Sequence, residues 1–246
     1  MGIKTAVLNG VLSIEIARPE KKNALTEAMY AAMAMALIQA QTEEGVRAIL
    51  ITGQPGVFTS GNDLEDFAQR PPQTNEAPVF QFMRALVRSD KPVVAAVTGP
   101  AIGIGTTMLL HCDLVYVSDE ARFSMPFTRL GLVPEFASSL LMPQLAGSVR
   151  AAEALLLGDP FGPQDAVDRG IANAVLPAGE VLNHARRVAE RFQSVPPGAV
   201  QASKQLLRRT QRPLVLEAIE AEAAVFRERL SSPEARDAIS AFFKRA

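Results

Sequence analysis

The sequence predicts an α/β fold in which parallel strands alternate with helices. Three short apolar segments, Arg47–Ile51, Pro92–Val97 and Asp113–Val117, are predicted to be strands, and helical segments separate them. This alternation is typical of parallel sheets, because their crossover connections are usually helices. The chain has 246 residues, 48% of them hydrophobic and 21% charged, so it can bury a large core without disulfide bonds.

The N-terminal segment is predicted to form a hairpin followed by a helix. Strands at Thr5–Leu8 and Val11–Ile16 flank Asn9-Gly10, a dipeptide that tolerates the positive φ angles of a two-residue turn. The next segment, Thr26–Gln41, begins with a candidate N-cap and is rich in Ala, Met and Leu, which favour helix.

The middle of the chain contains a long connection and an uncharged window. Residues 54–78 are rich in Gly, Pro, Asn and Asp, and a connection of this length is usually functional or mobile; a helix is predicted next, at Val79–Arg88. The window Pro92–Cys112 is as long as a membrane span, but its prolines and glycines would leave backbone groups unsatisfied in lipid. We therefore predict a buried strand, a tight Gly-rich turn and a helix from about Gly103, and no membrane partner.

The chain is mostly helical after Ser138, and several predicted helices begin with proline, including Pro213–Leu230. One short strand is predicted at Ile171–Val175. We expect a core over residues 1–192 and a helical region over residues 193–246. That region is too small to be stable alone, so it must pack on its own core or on another subunit.

Composition excludes several classes of function. The 25 Lys and Arg residues balance 26 Asp and Glu residues, and Trp is absent, which argues against nucleic acid as a partner. Cys112 is the single cysteine, so disulfide frameworks and multi-cysteine metal sites are excluded within one chain. The N-terminus lacks the pattern of a secretory signal, and we expect a cytoplasmic protein.

The first candidate site is the cluster Phe58–Leu64 in the long connection. Gly61 permits a backbone conformation that other residues resist, and Asp63 is a plausible N-cap for a helix over Leu64–Gln69. Backbone N–H groups near Asn62 would then be free to point into a cleft. A plain surface turn would explain the same residues.

The second candidate is the cluster Thr98–Thr107, which follows a buried strand and opens a helix. A helix N-terminus offers free N–H donors and can hold developing negative charge. A dinucleotide site is excluded because Met108 stands where the third glycine of that motif would be. A packing role for these glycines is an equal alternative.

The third candidate is Glu135, which lies among apolar residues in the cluster Pro126–Phe136. In a dry pocket, desolvation would raise its pKa toward the value that a general base needs at neutral pH. The alternative is an exposed acid near a helix N-terminus, where the helix dipole favours negative charge.

Other polar residues are interpreted as structural. His111 lies in an apolar segment beside Cys112, which we expect in the core. A basic stripe in the C-terminal region is interpreted as a solvated helix face; it consists of Lys204, Arg208, Arg209 and Arg212.

In order and spacing, the three clusters together resemble the crotonase superfamily of enoyl-CoA hydratases and isomerases. The resemblance covers essentially the whole chain and is carried by Arg18–Leu25, Ser60–Leu64, Gly99–Gly105, Cys112–Leu114 and Phe123–Glu135. It implies a spiral of ββα units with a helical C-terminal trimerisation region, and homotrimers or dimers of trimers. It also implies acyl-CoA substrates and an oxyanion hole formed by two backbone N–H groups, which fall on Asn62 and Ile104.

The sequence departs from the hydratase pattern at two positions. Hydratases carry two catalytic glutamates, and Thr107 and Phe127 stand at those positions here. Because adding water needs one group to activate water and another to deliver a proton, hydration is not expected. Glu135 remains, and its position resembles that of the catalytic base in the Δ3,Δ2-enoyl-CoA isomerase branch. The expected reaction converts a 3-enoyl-CoA into a trans-2-enoyl-CoA.

The resemblance also implies the residues that contact the substrate. Arg18, Lys22 and Ala24 would lie near the pantetheine and phosphates of CoA, whereas Phe243 and Lys244 would reach a neighbouring subunit's CoA. The remaining implied contacts are Ser60, Gly61, Asp63, Leu64, Gly103, Gly105, Phe127 and Leu130. No metal and no cofactor beyond the substrate's CoA are expected.

Two other functions remain open at this point. One is another crotonase reaction on acyl-CoA, such as hydration, dienoyl-CoA isomerisation or thioester hydrolysis. The other is a non-catalytic homologue that binds acyl-CoA or RNA. RNA binding in such homologues uses a lysine-rich helix, whereas the predicted helix Thr26–Gln41 has no Lys or Arg.

Overall fold

The computed structural model describes residues 2–245 and has the predicted mixture of strands and helices. The strands are β1 (Ile3–Leu8), β2 (Val11–Ile16), β3 (Ala48–Thr52), β4 (Val93–Val97), β5 (Pro100–Ile102), β6 (Leu114–Ser118), β7 (Arg122–Ser124) and β8 (Ala174–Leu176). Six of them form one sheet in the order β1-β2-β3-β4-β6-β8. Only β1 and β2 pair antiparallel in it, as the predicted hairpin requires.

The hairpin turn has the expected geometry. Asn9 and Gly10 have φ angles of 47° and 67°, and Leu8 pairs with Val11 directly across the turn. Positive φ at both central residues is the signature of the tight turn that suits twisted strands.

The helices are α1 (Glu27–Thr42), α2 (Leu64–Gln69), α3 (Pro78–Arg88), α4 (Ile104–Thr107), α5 (Ser138–Ala146), α6 (Ser148–Ala152), α7 (Pro163–Asp168), α8 (Val181–Glu190), α9 (Pro197–Arg208), α10 (Gln211–Leu230) and α11 (Pro233–Arg245). The predicted N-cap of α1 is confirmed, because the Thr26 side chain accepts a hydrogen bond from the backbone N–H of Met29. Short 3₁₀ turns at 19–21, 108–111, 128–130 and 191–194 and a π-helical turn at 153–157 complete the set.

The structure corrects four element predictions. The predicted Gly-rich turn contains β5, which pairs in parallel with β7 in a separate two-stranded sheet. The strand predicted at Ile171–Val175 lies at Ala174–Leu176, and α10 begins two residues before Pro213 because proline fits the first turn of a helix. The helix after Gly103 is only four residues long and continues as a 3₁₀ turn.

The two faces of the large sheet are covered by different helices. Alternate residues of each strand point to opposite faces, so Ile49 and Ile51 pack into the main core with α1 and α3. Their neighbours Ala48 and Leu50 pack on the other face against Ala185 and other small residues of α8. Parallel strands that are buried on both faces explain the continuous apolar runs in the sequence.

The C-terminal helices pack on the chain's own core. Helix α10 contacts α3 and α5, and the Phe226 ring meets the Phe67 ring edge-on at 5.9 Å. Helix α11 passes so close to Gly131 that a Cβ atom there would lie 2.7 Å from the backbone nitrogen of Ala235. The expected division at residue 192 stays a prediction.

The uncharged window is confirmed as strand and helix. It forms β4, β5, α4 and the 3₁₀ turn at 108–111, and no helix within residues 2–245 is long and apolar enough to cross a membrane. Cys112 ends the window as a core residue, with its Sγ 3.6 Å from the carbonyl oxygen of Met108.

Of the four residues of the basic stripe, Arg209 is exposed as interpreted, whereas Lys204, Arg208 and Arg212 form ion pairs, which corrects the interpretation for those three. The Lys204 side chain is buried and donates hydrogen bonds to the Asp113 carboxylate at 2.6 Å and to the carbonyl oxygen of Lys91 at 2.8 Å. Arg208 also lies near Asp113, and Arg212 pairs with Asp90. These ion pairs attach the C-terminal helices to the sheet.

Candidate active site

The loop that carries Asn62 is held by hydrogen bonds to residues 22–25. Ser60 N–H donates to the carbonyl oxygen of Lys22 at 3.0 Å, and Leu25 N–H donates to that of Gly61 at 2.8 Å. Asp63 N–H then donates to the carbonyl oxygen of Leu25 at 2.9 Å. Asn62 is therefore held on both sides, and its own N–H has no acceptor in the described part of the chain.

Asp63 caps α2, as predicted. Its side chain accepts hydrogen bonds from the backbone N–H groups of Glu65 and Asp66, both at 3.1 Å, and pairs with the Arg18 guanidinium at 2.6 Å. Burial alone would raise the pKa of the Asp63 carboxyl, but the bonds from Arg18 and the backbone outweigh it and the pKa is lowered. Arg18 also donates to the carbonyl oxygen of Ala24, so three of the implied substrate contacts bind one another.

A close backbone contact joins the first two candidate clusters. Gly61 has a φ angle of +91°, and a Cβ atom there would lie 2.8 Å from the carbonyl oxygen of Ile102. Gly103, with φ of +56°, accepts hydrogen bonds from the N–H groups of Thr106 and Thr107 through its carbonyl and so starts α4. The N–H of Ile104 has no acceptor among the described residues. The two predicted donors therefore lie on segments that are in contact.

Gly105 is required by packing, which supports the alternative weighed for that glycine. A Cβ atom at this position would lie 2.6 Å from Cγ2 of Thr59. The Thr59 hydroxyl donates to the carbonyl oxygen of Asn23 at 2.7 Å and accepts from the N–H of Gly61 at 3.1 Å. Gly105 thus lets α4 approach the segment that positions Gly61.

Glu135 is buried, so the alternative of an exposed acid is wrong. Glu135 is 5% exposed, and its side-chain oxygen Oε1 has no hydrogen-bond partner among residues 2–245. Burial, with a smaller contribution from the negative charge of Glu222, raises the pKa of Glu135 to about 8. A carboxyl group in this state can take up and release a proton near neutral pH.

The backbone after Glu135 adopts an unusual conformation. Phe136 and Ala137 have φ angles of 59° and 55°, in the left-handed region. Ser138 donates to the carbonyl oxygen of Glu135 through its hydroxyl at 2.7 Å. His111 stacks on the Phe136 ring at 4.0 Å, and its Nε2 lies 2.8 Å from the carbonyl oxygen of Phe136.

His111 therefore stabilises the backbone segment that follows Glu135. Burial lowers the pKa of its imidazole to about 3, so the ring is neutral at physiological pH. A neutral ring that faces a carbonyl oxygen with Nε2 must carry its proton there and donate it. This role agrees with the structural interpretation of His111.

Two residues near the site had no signal in the sequence. Glu222 of α10 accepts hydrogen bonds from the backbone N–H groups of Ala137 and Ser139. Tyr30 of α1 donates its phenolic hydrogen to the side-chain oxygen of Asn62. Burial first, then the charges of Glu135 and a further carboxylate, raise the pKa of Tyr30. Neither residue belongs to a local motif, because both reach the site from distant helices.

The two positions that carry glutamate in hydratases are buried here. Thr107 is fully buried, and its hydroxyl oxygen has no hydrogen-bond partner within the described ranges. Phe127 is 5% exposed, and its ring would lie 4.0 Å from a Cβ atom at Gly103. Neither side chain can exchange a proton as a carboxyl group does.

The other implied substrate contacts divide into two groups. Ser60, Leu64 and Leu130 are half-buried, and Lys22 is exposed. Ser60 and Leu64 lie in the cluster Phe58–Leu64 that carries Asn62, and Lys22 lies in the segment 22–25 that holds this cluster. Phe243 and Lys244 lie on the exposed last turns of α11, and no hydrogen bond or ring contact joins them to the other implied contacts in residues 2–245. Their contact with a neighbouring subunit stays a prediction.

A cavity of about 550 Å³ opens beside Tyr30. Its apolar lining includes Leu25, Phe67 and Val79, and its rim carries Asp66 and Arg70. The volume is in the range of small-molecule binding sites. Tyr30 lines this cavity and also contacts Asn62, whereas Asn62, Ile104 and Glu135 are not among the residues of the described chain that line it.

The described residues offer no ready metal site. Between Gly2 and Arg245, no group of three or more His, Cys, Asp or Glu side chains is placed to hold a metal ion. Glu135 and Glu222 are both buried, and Glu222 is already bound to backbone N–H groups.

Comparisons with known proteins agree with the fold described above. The family model described as "Enoyl-CoA hydratase/isomerase" matches residues 7–246. Enoyl-CoA delta isomerase 2 of Rattus norvegicus is 34% identical over 250 residues, which cover 99% of this chain and 64% of the rat protein. The chain thus spans less than two thirds of the length of that relative.

Solved structures show the same fold. The structure of Pseudomonas aeruginosa OdaA has a TM-score of 0.96 and 49% sequence identity and covers 98% of each chain. That of an enoyl-CoA hydratase/isomerase from Pseudoalteromonas atlantica T6c has a TM-score of 0.94 and 39% identity, over 100% of this chain and 98% of the other. The predicted fold, with its helical C-terminal region, is confirmed, and the chain belongs to the enoyl-CoA hydratase/isomerase family, the crotonase superfamily.

Proposed function

We propose that the protein is an isomerase that moves the double bond of a 3-enoyl-CoA thioester to give the trans-2-enoyl-CoA. The observation that carries this proposal is the carboxyl group of Glu135, which is buried, has one oxygen without a hydrogen-bond partner among the described residues, and has a pKa raised to about 8. Such a group can accept a proton from carbon and give it back.

The reaction follows from the acidity of the substrate. The C2 protons of a 3-enoyl thioester are acidic because the resulting anion delocalises onto the thioester oxygen. Glu135 would remove one of them and return it to C4, and the N–H groups of Asn62 and Ile104 would bind the oxygen of the dienolate between the two steps. One such donor is worth about 3–4 kcal/mol in comparable sites.

A single acid–base residue is enough because the proton is moved and not consumed. Thr107 and Phe127 supply no second carboxyl group. The buried side chains of Phe127, Leu132 and Phe136 surround this region and would keep water away from the dienolate. The proposed reaction needs no metal and no cofactor besides the CoA of the substrate.

The cavity beside Tyr30 would take the acyl chain. Tyr30 lines this cavity and contacts Asn62, whose N–H would hold the thioester oxygen, so the acyl chain would extend from that oxygen past Tyr30 into the cavity. The CoA portion would then lie along residues 18–24, where Lys22 is exposed and the Arg18 guanidinium is held by Asp63.

We expect Glu135→Gln to abolish isomerisation and to leave the binding of acyl-CoA intact, because the amide keeps the shape of the side chain but cannot accept the proton. The measurements are the absorbance of the conjugated thioester formed from 3-enoyl-CoA and the Kd of a saturated acyl-CoA. Glu153→Gln, at an exposed glutamate paired with Arg169, is the control and should behave as the wild type.

The same samples distinguish the other crotonase reactions. Incubation with a 2-enoyl-CoA reports hydration as loss of conjugated absorbance, and release of free thiol reports thioester hydrolysis. Isomerisation by Glu135→Gln at the wild-type rate would remove Glu135 from its role, and rapid hydration by the wild type would replace the proposed reaction.

A further inference from the structure

Glu222 lies behind the segment that carries Glu135 and binds it at three points. One carboxylate oxygen accepts a hydrogen bond from the N–H of Ala137 at 2.6 Å. The other accepts from the N–H of Ser139 at 3.0 Å and also from the Ser139 hydroxyl. Glu222 is 9% exposed and belongs to α10, more than 80 residues away in sequence, so these bonds attach a C-terminal helix to the site.

The segment needs such support because its conformation is costly. Phe136 and Ala137 are non-glycine residues with left-handed φ angles, a conformation that L side chains disfavour. This conformation lets the chain turn from Glu135 into α5 with the Glu135 carboxyl group inside the core. It persists only where the surroundings determine it.

The two supports of this segment differ in chemistry. His111 is neutral and binds the carbonyl oxygen of Phe136, whereas Glu222 carries a carboxylate and binds N–H groups. Burial raises the pKa of Glu222, and the hydrogen bonds from Ser139 and Ala137 oppose that rise. All three donors point at Glu222 and none is needed from it, which fits an ionised carboxylate that accepts only. Its negative charge also lies close enough to Glu135 to disfavour ionisation there.

We propose that Glu222 is a positioning residue for Glu135: its carboxylate holds the left-handed Phe136–Ala137 segment through Ala137 and Ser139 and thereby sets the orientation and proton affinity of the base. The inference rests on the proposed function in so far as Glu135 is the base. Glu222 itself touches neither the reacting carbons nor the thioester oxygen in this scheme.

The charged groups on the neighbouring elements do not take over this role. Helix α5 has no charged side chain, and Arg88 of α3 is exposed. Arg84 of α3 pairs with Glu76 and Glu220. On α11, Glu234 pairs with Arg229. The titratable groups that face Glu135 are therefore Glu222 from α10 and Tyr30 from α1, with His111 behind the Phe136 ring.

The test compares Glu222→Gln with Glu220→Gln. Both variants remove one negative charge from α10, but Glu220 is half-exposed and pairs with Arg84 instead of binding residues 137–139. For Glu222→Gln we expect kcat for 3-enoyl-CoA to fall roughly tenfold to a hundredfold, as for a slightly displaced catalytic group. The Kd of a saturated acyl-CoA should be unchanged, and Glu220→Gln should match the wild type in both.

A second measurement does not depend on activity. Glutamate labelled with ¹³C at the carboxyl carbon allows the titration of Glu135 to be followed by NMR, with the signal assigned by its loss in Glu135→Gln. Removing the nearby negative charge should move this titration to lower pH in Glu222→Gln and leave it in place in Glu220→Gln. A Glu135 titration in Glu222→Gln equal to that of the wild type would overturn the inference.

The two proposals fail in different ways. A wild-type protein that does not isomerise 3-enoyl-CoA contradicts the proposed function, while the NMR titration still decides the role of Glu222. If thermal unfolding shows that Glu222→Gln does not fold, Ser139→Ala replaces it, because it removes one of the three bonds and keeps the charge. A smaller loss of kcat at unchanged Kd supports the inference, and a wild-type kcat overturns it.

Discussion

Glu135 owes its properties to its surroundings more than to its sequence neighbours. The sequence places it just before a helix, where an exposed carboxylate would be stabilised by the helix dipole. The structure instead buries it, with one oxygen lacking a hydrogen-bond partner in residues 2–245, and this burial, with the charge of Glu222, raises its pKa to about 8. A glutamate that would cap the helix as an acid if it were exposed is thus a candidate base because its side chain is buried.

This pKa makes a prediction about pH. Because the base must be ionised before it accepts a proton, kcat/KM should rise as pH increases through about 8 and level off above it. The measurement is a pH profile with a 3-enoyl-CoA at subsaturating concentration. A profile that is flat between pH 6 and pH 9, or one that falls through this range, would contradict the role of Glu135.

Some site residues could be predicted from sequence and others could not. Asn62, Ile104 and Glu135 lie in short clusters whose glycines and apolar neighbours are visible locally, and the structure brings the segments of Asn62 and Ile104 into contact. Glu135 is linked to Asn62 through Tyr30, which hydrogen-bonds to Asn62 and whose pKa is raised by burial and by the charge of Glu135. Glu222 and Tyr30 act across long sequence separations. On α10 and α1 they resemble any polar residue of a helix, and only the packing of those helices shows what they contact.

At the scale of elements, the decisive feature is the contact between the loop at Gly61 and strand β5. Thr59 pairs with Ala101 in an isolated bridge, and Gly61 packs against the carbonyl oxygen of Ile102. The sequence predicts only a turn here, because strands of three residues are too short to show alternation. Strands β5 and β7 form the two-stranded sheet that holds the segment leading to Ile104 in place.

We predict that Gly61→Ala reduces isomerisation much more than its cost in stability alone would. The new Cβ atom would lie 2.8 Å from the carbonyl oxygen of Ile102 and force the two donor segments apart. A displacement of about 1 Å in such a site can lower the rate about a hundredfold. The measurements are kcat/KM and the free energy of unfolding in urea.

Gly147→Ala is the matched control for this variant. Gly147 also has a left-handed φ, +80°, but a Cβ atom there would meet nothing within 4 Å. The Gly147→Ala variant should therefore lose about 1–3 kcal/mol in its free energy of unfolding, the cost of the strained backbone, and keep its activity. Equal activity losses in the two variants would mean that backbone strain, and not the contact with Ile102, explains the effect.

At the scale of the whole molecule, the large sheet and its two helical layers were predictable, and the packing of the C-terminal region was not. Apolar runs of strand length separated by helical segments indicate a parallel sheet from sequence alone. The ion pair between Lys204 and Asp113 links residues far apart in the chain, and a basic stripe on a helix is usually solvated. The burial of Lys204 in that stripe follows from the tertiary fold, which brings α9 against Asp113.

We propose that the protein forms homotrimers or dimers of trimers, as the resemblance implies. Helix α9 exposes Leu206 and Leu207, which are 70% and 81% accessible in the isolated chain, and Val149 of α6 is 84% accessible. Large apolar side chains that are exposed together commonly mark contact surfaces. Sedimentation should give three or six times the chain mass of 26.4 kDa.

The variant Leu206→Glu/Leu207→Glu should shift this mass toward that of the single chain, because it places two charges on the proposed contact surface. Cooperative thermal unfolding of the variant would show that its fold is retained. A single-chain mass for the wild type at micromolar concentration would contradict the proposal.

The burial of Cys112 has a practical consequence. This sole thiol is 7% exposed, and burial, together with the charge of Asp113, raises its pKa to about 12. Only the thiolate attacks the disulfide bond of a disulfide-exchange dye, so such a dye labels a molecule only while its interior is transiently open. The labelling rate of the unmodified protein therefore reports how often the core beside the sheet opens, and a bound ligand that steadies the core would slow it.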